Sequence, residues 1–151
     1  MNGKIIISLA SILSIWSHDV LTSDAIARAI FDDTFKKFTW VSDMEQFGVI
    51  DKKVSFAKQV KKGLSFKGDC DDFAYTMRDL LNENGYETEL HSVRTYNGNM
   101  RGKSHMVLKA TKDGESLMID NRYPDIRSWE NGMNGSRYTK GNAFPKARYT
   151  K

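Results

Sequence analysis

Residues 68–85, GDCDDFAYTMRDLLNENG, form an amphipathic helix signal with a clear start and stop, and any fold must cover its apolar side. Phe73, Ala74, Met77, Leu80 and Leu81 recur at helical spacing and make one stripe. Asp69 is placed to cap the first turn, and Asp72, three residues on, completes a capping-box pattern. Asn84-Gly85 ends it. Three strand-like segments follow: YETELHSVRT (86–95), SHMVLKAT (104–111) and ESLMIDNRY (115–123), with KDG as a hairpin turn between the last two. Helices followed by consecutive strands predict an α+β domain, its central helix packed on a small antiparallel sheet.

Upstream, TSDAIARAIFDDTFKKF (22–38) predicts a helix through Ala25, Ile26, Ala29, Ile30 and Phe31, capped by Ser23 or Thr22. WVSDMEQFGVIDKK (40–53) reads as loop with a short turn, and VSFAKQVKKG (54–63) as a short helix stopped by Gly63. From Pro124 onward the chain is Gly/Asn-rich and reads as irregular. Its Arg127, Arg137, Lys140, Lys146, Arg148 and Lys151 are interleaved with Trp129, Tyr138, Phe144 and Tyr149. That mixture suits a solvated flank better than a surface for an acidic or glycan-bearing partner.

Residues 1–17, MNGKIIISLASILSIWS, offer two readings. The apolar run from Ile5 to Trp16 is too short to span a bilayer comfortably and is followed by no A-x-A cleavage site. As an export signal it makes the protein periplasmic or secreted; as an N-terminal helix over 1–20 packed on the core it leaves it cytoplasmic. Residues 21–151 suit one domain, with a monomer as the default. The net charge of +4 is only mildly basic, and no zinc-finger spacing or aromatic-plus-basic RNA motif accompanies it, so a nucleic-acid partner is not expected.

The single cysteine excludes an internal disulfide and a CxxC metal site. Cys70 is then a buried filler or a reactive thiol. Its place at a helix N-terminus favours the thiolate, through unpaired N–H groups and the helix dipole. A hairpin turning at Asp113-Gly114 sets Lys112 opposite Glu115, Thr111 opposite Ser116 and Val107 opposite Asp120. His105 shares the face of Val107, which makes His105 and Asp120 diagonal neighbours within hydrogen-bond reach. A slip of one residue would part them. Packed against Cys70, they would supply nucleophile, base and orienter. Separately, each has a plainer reading, His105 as a half-buried strand residue and Asp120 as a turn residue. His18 and His91 are tied to Cys70 by no spacing, Trp40 suits core packing, and Asn121 suits a structural role.

The segments GDCDDFAYTMRDLLNENGYE, SHMVLKAT and SLMIDNRY, in that order, resemble the bacterial transglutaminase-like cysteine peptidases. The family's marks are a Gly-Asp-Cys-acidic-Asp helix start, a His-x-Val-Leu strand and a strand ending in Asp-Asn. The resemblance runs from about Phe35 to Tyr123. It departs after Asp51, where Lys52 and Lys53 replace the family's usual aromatic, and this touches the leading wall of the cleft.

The resemblance implies a papain-like α+β fold with Cys70 as nucleophile, His105 as general base and acid, and Asp120 as orienter. It implies cleavage of a peptide bond in a protein substrate through a thioester. Transglutaminase-type acyl transfer would use the same three residues, and a non-enzymatic binding module on the same fold is a third reading. Members include calcium-dependent periplasmic proteases, whose ligands include acidic residues around the nucleophile; here these are Asp69, Asp71 and Asp72. Carboxylates beside a thiol raise its pKa, and a bound cation such as Ca2+ would relieve this. On the plainer reading Asp69 and Asp72 only cap the helix, and Asp71 is solvated.

Overall fold

Twelve elements follow one another along the described residues, 22–49, 52–97, 100–136 and 138–143, of a computed structural model. They are α1 (Ser23–Lys37), β1 (Phe38–Trp40), α2 (Asp43–Phe47), α3 (Ala57–Lys61), β2 (Phe66–Gly68) and α4 (Cys70–Glu83), then β3 (Glu87–Asn97), β4 (Met100–Lys112), β5 (Glu115–Ile119), β6 (Arg127–Ser128), α5 (Trp129–Gly135) and β7 (Thr139–Ala143). The choice between export signal and helix over residues 1–20 lies outside the described residues, as do Arg137, Phe144, Lys146, Arg148, Tyr149 and Lys151.

Helix α4 is the organising element. Its apolar stripe is buried throughout: Phe73, Ala74, Met77, Leu80 and Leu81 all join one core cluster. Opposite them in that cluster stand Leu90 of β3, Met106, Leu108 and Ala110 of β4, and Leu117 and Ile119 of β5. Ala27 and Phe31 of α1 join from the far side, where Phe31 meets Phe73 edge-on at 5.9 Å between ring centroids. The helix ends as the sequence predicts, with Gly85 at φ +83° turning the chain into β3.

The main sheet has the order β6-β5-β4-β3-β7, and every pairing in it is antiparallel. Asp113 and Gly114, both at positive φ, make the two-residue turn, and Lys112↔Glu115 and Thr111↔Ser116 pair as predicted. Alternation gives β4 a second buried face. Val93, Val107, Met118, Met133 and Tyr138 form a smaller cluster there, under α5.

Three parts differ from the sequence reading. The described part of the stretch after Pro124 holds regular structure: Ser128 caps α5 by accepting from the Asn131 amide at 3.3 Å, and β7 pairs with β3. Two glycines inside α5 hide the helix from propensity arguments, and strand pairing by backbone hydrogen bonds leaves no side-chain pattern. The loop of residues 40–53 contains α2, capped by Ser42 and closed by Gly48 at φ +67°. Strands β1 and β2, three residues each, form a parallel pair too short to show a period. Among the described residues no helix is long and apolar enough to cross a membrane.

Candidate active site

The N-terminus of α4 is held by reciprocal hydrogen bonds. Asp69 accepts from the amides of Asp71 (2.9 Å) and Asp72 (3.3 Å), and Asp72 accepts in return from the Asp69 amide (3.3 Å). The other oxygen of Asp72 accepts from the Val54 amide at 2.7 Å. Thr76, one turn on, donates to the Asp72 carbonyl at 2.7 Å and accepts from the Phe56 amide at 2.9 Å. The extended stretch before α3 is thereby laced onto the first turns of α4, and Cys70 is fixed on the first of them.

His105 and Asp120 meet as the hairpin register predicts. The His105 Nε2 to Asp120 Oδ1 distance is 2.8 Å, and the two residues are 7% and 4% exposed. Asp120 Oδ1 also accepts from the Arg122 amide at 3.0 Å, and its Oδ2 accepts from the Tyr138 hydroxyl at 2.6 Å. Burial alone would raise the Asp120 carboxyl, but the hydrogen bonds and charge of His105, with those of Tyr138 and Arg122, hold it below the usual value. With Nε2 engaged, the imidazole has Nδ1 left for a reacting group.

The sulfur of Cys70 lies at the edge of β4. Strand β5 pairs with β4 only as far as Leu108↔Ile119. The Met106 backbone N–H, just beyond that point, is close enough to Cys70 to pull its thiol pKa down. Met106 follows His105 directly, so the sulfur sits beside the strand segment that carries the imidazole. Burial pushes the Cys70 thiol up to about 12, and the charges of Asp71 and Asp69 add to the rise against the pull of the Met106 amide. Asp71 Oδ1 is 3.6 Å from the sulfur. Burial and carboxylates thus outweigh the helix terminus, on which the sequence reading relied for a thiolate.

The acidic residues fall into two overlapping groups. Asp69 and Asp71 gather with Cys70, whereas Asp69 and Asp72 gather with Asp43 of α2; in each group one ligand atom per residue lies within 4.8 Å of the others. Asp43 is 5% exposed; its Oδ2 accepts from the Lys52 amide, and its Oδ1 is buried with no hydrogen-bond partner among the described residues. Burial, together with the charges of Asp69 and Asp43, pushes the Asp72 carboxyl up to about 6 despite its amide donors.

Asp43 and Tyr138 are the site neighbours that sequence reasoning missed. Asp43 lies 26 residues before Asp69 in what read as loop, and only the tertiary fold shows its role. Tyr138 read as part of a solvated flank, yet it is 7% exposed because its ring fills the cluster under α5 and its hydroxyl finds Asp120. Trp40, expected in the core, is 61% exposed. It pairs with Gly68, and a glycine offers no side chain to cover the indole.

The architecture is that of papain-like and transglutaminase-like proteins, with the Cys70-bearing helix packed on a small antiparallel sheet. Solved structures share it. Legionella pneumophila LapG superposes with a TM-score of 0.58 at 18% identity, covering 88% of this chain and 71% of that one. Its calcium-bound form gives 0.57 at 21%, covering 80% and 65%, and its EGTA-treated form gives 0.50 at 20%, covering 77% and 61%. No curated protein matches the sequence. The profile of the bacterial transglutaminase-like cysteine proteinases, BTLCP, matches residues 25–145, and the chain belongs to that family.

Proposed function

We propose that the protein is a cysteine peptidase that cleaves a peptide bond in a protein substrate, with Cys70 as nucleophile, His105 as general base and acid, and Asp120 as orienter. One observation carries the reading: His105, buried and paired with Asp120, stands on β4 one residue before Met106, whose backbone N–H acts on the Cys70 thiol. His105 Nδ1 takes the thiol proton, and the sulfur attacks the scissile carbonyl. The backbone N–H of Cys70 faces the developing oxyanion. His105 returns its proton to the leaving amine, which departs and leaves a thioester. Water, deprotonated by His105, then attacks the thioester; the acid leaves and the sulfur regains a proton. An amine in place of water gives acyl transfer instead, and product mass separates the two: fragments for hydrolysis, joined chains for transfer.

Asp43, Asp69 and Asp72 would hold a divalent cation, and an all-carboxylate set suits Ca2+. The unpartnered Asp43 Oδ1 supports this, as does the existence of a calcium-bound form of the LapG relative. Asp71, grouped with Asp69 and Cys70, would add a carboxylate from the sulfur side. Bound there, the cation would neutralise carboxylates that crowd the thiol. A calcium-requiring enzyme suits the periplasmic or secreted reading.

Iodoacetamide labelling tests the assignment. Calcium-loaded protein is expected to take one adduct on Cys70 rapidly at neutral pH, and EGTA is expected to slow it. Slow labelling that ignores calcium would mean that the sulfur only packs, and the binding-module reading would lead.

A pH-dependent stability follows from Asp72. Its folded value lies above the ordinary 3.8, so the folded state binds this proton more tightly than the unfolded one. Its cost to stability is absent below about pH 4, grows between about 4 and 6, and is complete above that. Calcium binding opposes that cost. The calcium-induced rise in melting temperature is therefore expected to be larger at about pH 7 than at about pH 5. Equal rises at both, or none, would remove Asp72 from the cation site.

A further inference from the structure

We propose that Tyr138 is a positioning residue of the same site, acting on His105 through Asp120, so that the chain of contacts runs Tyr138–Asp120–His105 and would serve Cys70 through the imidazole. The inference rests on the triad reading above and adds a member to it. Asp120 is 4% exposed, so its two oxygens depend on buried partners for their hydrogen bonds. Oδ1 has His105 at 2.8 Å and the Arg122 amide at 3.0 Å; among the described residues Oδ2 has Tyr138 as its donor, at 2.6 Å. A hydroxyl that close to a carboxylate is a strong, charge-assisted donor.

Several contacts aim that hydroxyl. The Tyr138 ring is packed with Val93, Val107, Met118 and Met133, and its centroid lies 5.9 Å from that of His105. Arg122 Nη1 donates to the phenol oxygen at 3.4 Å, which leaves the phenol's own proton for Asp120. Burial and the charge of Asp120 raise the phenol's pKa, so it stays a donor. The groups around the pair are thus Arg122, Tyr123 and His105, with no second carboxylate among the influences on Asp120. Without the hydroxyl, Oδ2 would be buried and unpaired. The carboxylate would then be free to rotate or to take up a proton, and the Nε2–H of His105 would lose its fixed acceptor. A tyrosine that served packing alone would not need this oxygen.

The test is Tyr138→Phe in calcium-loaded protein, which keeps the ring. The expected result is an iodoacetamide rate on Cys70 lowered about tenfold at neutral pH, from loss of one charge-assisted bond. Proton–nitrogen NMR of the His105 side chain is expected to show faster water exchange at Nε2 and a mixture of tautomers. Incorporating 3,5-difluorotyrosine at position 138 keeps both fold and hydroxyl and is expected to shift the Nε2 proton resonance. If Tyr138→Phe leaves the rate and the tautomer unchanged while His105→Ala abolishes labelling, the proposal is overturned and the triad stands. If His105→Ala also has no effect, the triad reading fails and takes this one with it.

Discussion

Replacing His105 with alanine is expected to slow iodoacetamide labelling of Cys70 about a hundredfold or more in calcium-loaded protein at neutral pH. The reason lies in what the thiol is without its partner. Burial, aided by Asp71 and Asp69, pushes it up to about 12. A thiol of that kind carries very little thiolate at neutral pH. The Met106 amide lowers it too little to matter, so a base must make the nucleophile. In the proposed mechanism His105 is that base, its Nε2 held on Asp120. The chain has one cysteine, so intact mass counts the adduct directly. Equal rates for the variant and its parent would show that the sulfur takes its reactivity from elsewhere.

Gly68→Ala is expected to cost about 3 kcal/mol of stability, lowering the melting temperature by roughly 10 °C, and to abolish the response to calcium. A Cβ at that position would stand 2.6 Å from Asp72 Cβ and 2.7 Å from its Oδ2. Neither side can give way. Asp72 is tied to the Val54 and Asp69 amides, and Gly68 is paired with Trp40 while its carbonyl accepts from the Val41 amide at 2.8 Å. Gly63→Ala serves as the control. Its φ of +76° costs about 1 kcal/mol for a side chain, but nothing lies within 4 Å of its Cβ position, so the calcium response should persist. Thermal melts with and without calcium distinguish the two; a Gly68→Ala protein that melts like its parent would mean that the helix start is not locked as described.

The Asp69 cap, the stripe from Phe73 to Leu81 and the Asp113-Gly114 turn were legible because each is set by contacts within a few residues. The turn also gave the His105–Asp120 meeting, since register carries outward from it. What stayed hidden depends on distant partners. Asp43 gains meaning only when α2 is laid beside β2 and the start of α4, and Tyr138 only when α5 folds over the far face of the sheet. Trp40 misled for the same reason: hydrophobicity argues for burial, but its neighbour across the strand pair is a glycine. The thiol's pKa could not be read from a helix N-terminus because burial, the larger influence, belongs to the tertiary structure.

Strand β7 enters the sheet beside β3, at Val93↔Lys140, although α5 and three other strands intervene in the sequence. Tyr138 immediately precedes it. A ribosome delivers the chain from its N-terminal side, so α4 and its sulfur emerge well before the segment that gives Asp120 its last donor. The closure joins residues separated by some tens of positions and is correspondingly slow. The nascent polypeptide therefore passes through a period in which Cys70 has been made and Asp120 still lacks the Tyr138 hydroxyl.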